Sequence, residues 1–86
     1  MWYVYIVECQ NGSLYTGVTT NPKRRFKEHQ HAGSHYTSYN PATQLVYTEE
    51  ISDESTARKR EAQIKGWTRK KKLALIRGDQ ALLKTL

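Results

Sequence analysis

Tyr5, Tyr15, Arg25, His29 and Glu61 are the residues whose types could combine into a reaction centre for phosphoryl chemistry. A phenolic oxygen can position or deprotonate a water, a guanidinium can fork onto a phosphate, and an imidazole can move a proton. A carboxylate can face a hydrated Mg²⁺, which keeps several waters and takes one or two protein oxygens. Such an ion neutralises charge on a phosphate and its leaving oxygen. Taken singly, each residue has a plainer reading. A strand tyrosine usually packs, and Arg25 with His29, four apart on an exposed helix, would be a solvated pair. Glu61 leaves two readings open. It follows Ala57 by four residues and precedes Ile64 by three, so it shares their apolar stripe. A carboxylate there costs free energy unless it is paired with one of the nearby cations or binds a metal.

The elements that must position these groups are readable in outline. Trp2 to Glu8 and Leu14 to Thr19 are rich in aromatic and β-branched residues and predict two strands. Gln10-Asn11-Gly12 between them signals a hairpin. A two-residue Asn11-Gly12 turn would set Tyr5 and Tyr15 on opposite faces. A three-residue loop with Gly12 left-handed sets them on one face and gives Trp2, Val4, Ile6, Leu14 and Val18 the other, the favoured register, although one slip would reverse every side chain. Asn21 and Pro22 open a helix expected to run to about His31 and stop at Gly33. The stretch from Ser34 to Thr43, with Tyr36, Tyr39 and Pro41, reads as a loop. Gln44 to Ile51 reads as a third strand. A second helix is expected from Asp53 to Gly66, introduced by Ser52-Asp53-Glu54. A last helix covers Arg69 to Arg77, with a short turn or helix from Asp79 to Leu86. The expected class is α+β, a small three-stranded antiparallel sheet flanked by helices in the order ββαβαα, one domain over residues 1–86.

Composition narrows the partner. Fourteen Lys and Arg against eight Asp and Glu give a net charge of +6. Twelve of these cations fall in two groups, four at Lys23, Arg24, Arg25 and Lys27 and eight between Arg58 and Lys72. Clustered cations suit a polyanion, since each neutralised phosphate releases condensed counterions, although solvated basic helix faces are also common. The single cysteine, Cys9, excludes an internal disulfide, and no His/Cys spacing suits a zinc site. No stretch has transmembrane length and no basic leader precedes the apolar start, so the expected compartment is the cytoplasm.

The order Tyr3-Val4-Tyr5, Tyr15-Thr16-Gly17, Arg25 with His29, then Glu61 resembles the GIY-YIG nuclease superfamily, from Trp2 to about Ile76. The stretch Glu61-Ala62-Gln63-Ile64-Lys65-Gly66-Trp67 and the basic run after it resemble that superfamily's small stand-alone bacterial branch. The resemblance implies a three-stranded antiparallel sheet flanked by helices, one Mg²⁺ (or Mn²⁺) per site and hydrolysis of a DNA phosphodiester. It implies that Tyr15 is the candidate general base and that Tyr5 holds the water or phosphate network. By the same resemblance Arg25 stabilises the phosphate, His29 relays a proton and Glu61 holds the metal. Two positions depart from the pattern: Tyr3 stands where the name-giving glycine would, and Thr16 replaces the usual isoleucine.

The expected function is therefore a metal-dependent DNA endonuclease, selective for structure (branched, damaged or single-stranded DNA) and serving repair or recombination. The alternative is a non-catalytic basic module that kept the fold and binds nucleic acid. A weaker third reading has the basic helix meeting an acidic protein. Phosphate contacts are expected from Lys23, Arg24, Lys27, Lys65, Arg69, Lys70, Lys71 and Lys72, which position a backbone without reading sequence. Tyr36 and Tyr39 could stack on unpaired bases.

Overall fold

Gln10-Asn11-Gly12 closes as a three-residue loop. The Cys9 N–H donates to the Ser13 carbonyl at 2.9 Å and the Gly12 N–H to the Cys9 carbonyl at 2.8 Å. Gly12 has φ of 85°, a left-handed conformation that a Cβ would strain. The loop pairs β1 (Trp2–Cys9) with β2 (Leu14–Thr19), so that Tyr5 lies opposite Gly17, and Val7 opposite Tyr15. In the computed structural model, which describes residues 1–30 and 41–85, the chain continues through α1 (Pro22–Gln30), β3 (Ala42–Ile51), α2 (Glu54–Lys65), α3 (Arg69–Arg77) and α4 (Gln80–Thr85). The sheet is antiparallel with order β2-β1-β3.

Alternation along β1 divides the core between two faces. Val4 and Ile6, both fully buried, point to one side with Trp2, Leu14 and Val18, and meet Ala57 and Ile64 of α2 and Leu75 of α3. Tyr5, Val7 and Cys9 point to the other side, against Phe26 of α1 and Leu45 of β3. Each large side chain so buried contributes about 1.5–3 kcal/mol relative to exposure. A register shift between Ile6 and Val7 leaves Val46 unpaired opposite them. This bulge lets Val46 and Tyr47 both join the α2 side while Leu45 returns to the α1 side.

Side chains cap the helices where the sequence placed polar starts. Asn21 Oδ1 accepts from the Arg24 N–H at 3.1 Å, and Asp53 Oδ1 from the Thr56 N–H at 2.8 Å. Asp53 and Gly66 are the caps of α2 and not its ends. Strand β3 starts two residues before the expected Gln44, because Ala42 pairs with Cys9 and is buried there. The terminal segment forms a fourth helix. The expected end of the first helix at His31 and Gly33, and the loop tyrosines Tyr36 and Tyr39, lie outside the described residues.

A polar cluster fixes α2 against β3. The Arg60 guanidinium donates to both carboxylate oxygens of Glu49, at 2.9 and 3.3 Å, and the Tyr47 hydroxyl donates to Glu49 at 2.8 Å. Arg60 also lies 5.1 Å from the Trp67 ring centroid, with the Lys71 ammonium 4.4 Å from the same ring. At the opposite corner Arg69 donates to the Gly12 carbonyl at 2.8 Å, holding the start of α3 against the hairpin loop.

Candidate active site

The hairpin register brings Tyr5 and Tyr15 to one face, with ring centroids 6.3 Å apart. Helix α1 crosses that face on Phe26 and drops His29 between them, 5.8 Å from the Tyr5 ring and 5.0 Å from the Tyr15 ring. His29 is fully buried, so the solvated pair that Arg25 and His29 might form on an open helix is not what the fold makes. The Tyr5 hydroxyl is 2.9 Å from His29 Nε2. Arg25, half-buried, carries its charge beside the Tyr5 phenol and pairs with Glu28 at 3.3 Å.

The electrostatics separate the two tyrosines. Burial pushes the Tyr5 phenol up to about 12, only partly opposed by Arg25. Tyr5 therefore stays protonated at neutral pH. Tyr15 is half-buried and lies nearer the surface, with the Lys65 ammonium 5.7 Å from its ring centroid. Burial and the Arg25 charge both lower the pKa of His29 from its ordinary 6.5.

The shift at His29 has a sign that can be tested. The unfolded chain takes the imidazole proton before the folded one does. Stability from neutral His29 is thus complete above about pH 6.5 and is lost as pH falls from there through the lower folded value. Urea midpoints measured from pH 7.5 down to pH 5 should fall with acidification, and His29→Gln should flatten that slope. An equal slope in both proteins would assign the acid sensitivity elsewhere.

Glu61 reaches this group from α2. Ala57 and Ile64 on its stripe are fully buried, and the Glu61 side chain is 18% exposed. Its partner among the described residues is Lys65, at 3.6 Å, and its charge contributes to the raised pKa of Tyr5. The structure thus brings Tyr5, Tyr15, Arg25 and His29 into one packed cluster and joins Glu61 to it through Lys65. Glu61 thus shares the buried stripe and has the cationic neighbour of the ion-pair reading.

The donor chemistry suits a hard divalent ion of the Mg²⁺ type. A single carboxylate would fit an ion that retains most of its waters. Among the described residues no three His, Cys, Asp or Glu side chains gather, as a zinc site would require. A cationic group already stands beside Glu61, so the position favours positive charge.

Sequence reasoning missed two contributors. A Cβ on Gly17 would fall 2.5 Å from Tyr5 Cζ and 2.8 Å from Cε1, so the Tyr5 ring lies where only glycine leaves room. Lys65, expected only as a phosphate contact, lies at Tyr15 and Glu61; the Glu61-Lys65 spacing of four on a helix was the available signal. Of the other expected contacts, Lys23, Arg24, Lys27 and Lys70 are exposed. Arg69 is tied to the hairpin and Lys71 lies on Trp67. The cations of α1 and of α3 lie on opposite sides of the sheet, following their helices.

Sheet order, flanking helices and the tyrosine-histidine cluster define the class of protein. The sequence model of the GIY-YIG catalytic domain matches residues 1–74, and the chain belongs to that family. Its relatives include the UPF0213 protein DP2720 of Desulfotalea psychrophila, 43% identical over 92% of this chain and 74% of that protein. They also include the UPF0213 protein HQ_3675A of Haloquadratum walsbyi, 49% identical over 85% of this chain and 83% of that one. The solution NMR structure of the UPF0213 protein BH0048 from Bacillus halodurans is similar in fold. It has a TM-score of 0.56 at 40% identity and covers 88% of this chain and 83% of its own.

Proposed function

We propose that this protein is a divalent-metal-dependent hydrolase of DNA phosphodiester bonds. The observation that carries the reading is the Tyr5–His29–Tyr15 cluster, with the Arg25 charge beside one tyrosine and Lys65–Glu61 beside the other. Tyr15 is the general base toward the attacking water, because it is the less buried phenol. His29, neutral and fixed by the Tyr5 hydrogen bond, receives or relays the proton. Arg25 pairs with the phosphate as charge develops on it. Tyr5 acts behind them, holding the imidazole. Glu61 would hold Mg²⁺ or Mn²⁺, which supplies neutralisation of charge on the phosphate and its leaving oxygen.

The exposed cations of α1 and Lys70 of α3 meet the phosphate backbone and not base edges, which favours selection by DNA structure over sequence. Branched, damaged or single-stranded DNA, met in repair or recombination, is the proposed substrate class. The test incubates the purified protein with labelled duplex, single-stranded, flap and four-way-junction DNA, in Mg²⁺ or EDTA, beside Glu61→Ala. Metal-dependent cutting that disappears in the variant is the expected result. Absence of cutting on every substrate, with salt-sensitive binding equal in both proteins, would reduce the protein to a basic nucleic-acid-binding module.

A further inference from the structure

Glu61 and Lys65 form an unusual ion pair for this protein. Among the ion pairs of the described residues, theirs has the most buried carboxylate, 18% exposed, and the longest separation, 3.6 Å. The Glu54–Arg58 pair, also spaced by four, closes to 2.8 Å at the surface. A separation of 3.6 Å lies outside hydrogen-bonding range, so Lys65 neutralises Glu61 without occupying its lone pairs through a hydrogen bond. The ammonium also lies 5.7 Å from the Tyr15 ring centroid. One cation is thus close to both the carboxylate and the Tyr15 ring. The Lys65 side chain is itself 50% exposed, which gives its flexible stem a way out.

We propose that Lys65 is the resident counter-ion of the site: its ammonium fills the cation position beside Glu61 and moves aside when a divalent ion binds there. The inference rests on the reading of Glu61 as the metal-binding residue. Binding then exchanges one cation for another. The metal-free carboxylate is never left buried and uncompensated, and the affinity for the ion is lowered by the ammonium it has to displace. Lys65 acts as a positioning residue, setting how readily the site loads.

A Mg²⁺ titration followed by NMR tests this without DNA. In the wild type the Lys65 Hε resonances, shifted by the Tyr15 ring current, are expected to move toward their unperturbed positions with the same midpoint as the Glu61 amide. Lys65→Met is expected to bind Mg²⁺ about fivefold more tightly, the upper range for loss of a partly exposed competing pair. Lys65→Arg, which keeps the charge, should stay within about twofold of wild type, a range set by the low end for such pairs. Glu61→Gln should abolish the shifts in both the wild-type and Lys65→Met backgrounds. The proposal is overturned if Lys65→Met binds no more tightly than wild type, or if the Lys65 resonances stay fixed while the Glu61 amide titrates. It is equally overturned if Glu61→Gln leaves the shifts intact, or if no site near Glu61 responds to Mg²⁺ in either protein. Lys65→Gln serves as the uncharged variant should Lys65→Met lose its dispersed spectrum. Cleavage is not the readout, so a protein that cuts no DNA leaves this inference standing, and an immobile Lys65 leaves the nuclease reading to its own assay.

Discussion

Tyr15→Phe is expected to lower single-turnover DNA cleavage by about 10²- to 10⁴-fold, the usual worth of a positioned acid or base. Its melting temperature should remain close to wild type. The change removes one oxygen and keeps the ring, and the ring makes the packing contacts with Tyr5 and His29 and the contact with Lys65. The prediction is specific to Tyr15. Tyr5 is 1% exposed, has its pKa pushed up to about 12, and has its hydroxyl bonded to His29, so it is a poor candidate for taking a proton from water. Tyr5→Phe should instead cost stability, about 1 kcal/mol for the lost hydrogen bond and more for the unsatisfied imidazole. Rates for both variants at saturating Mg²⁺ and DNA, set beside their melting curves, separate the roles. Wild-type cleavage by Tyr15→Phe would remove it as the base.

Gly17→Ala is expected to destabilise the fold by about 2–3 kcal/mol, the cost of overpacking a site that cannot relax. The new Cβ would overlap the Tyr5 ring at Cζ, Cε1 and the hydroxyl. That ring has nowhere to go, with Tyr15 and His29 against it and its hydroxyl bonded to Nε2. In a domain of this size such a loss lowers the melting temperature by about 10–20 °C. It should also displace His29, so cleavage would fall with stability. Gly66→Ala is the control, because a Cβ there meets nothing closer than 3.5 Å and its backbone is right-handed. Chemical denaturation of the two variants gives the comparison. Equal midpoints would show that the Tyr5 ring can step aside after all.

Much of the architecture was legible because its signals are local. Asn11-Gly12 between two β-rich runs specified a hairpin, and α3 spans the Arg69–Arg77 expected of it. Tyr5, Tyr15, Arg25, His29 and Glu61 could be picked out by type, order and spacing. Spacing along one helix also placed Arg25 with His29, and Glu61 with Ala57 and Ile64.

Distances between elements were a different matter. That Ala42 extends β3 depends on Cys9 lying opposite it, a partner more than thirty residues away. The burial of His29 depends on α1 settling over the sheet through Phe26, which no property of the helix alone reveals. Thr16, in the position of the usual isoleucine, ends as a buried hydroxyl with no hydrogen-bond partner among the described residues, a cost set by the α2 side of the sheet. The Glu49–Arg60–Trp67–Lys71 cluster joins a strand to two helices, and it holds the helix that carries Glu61 and Lys65. Local propensity and spacing along the chain determined which elements form and which side chains share a face. Only packing decided how far apart those faces stand, because van der Waals contact and burial act between residues remote in sequence. On that scale of ångströms a histidine is buried against two tyrosines, and a lysine becomes the neighbour of a carboxylate.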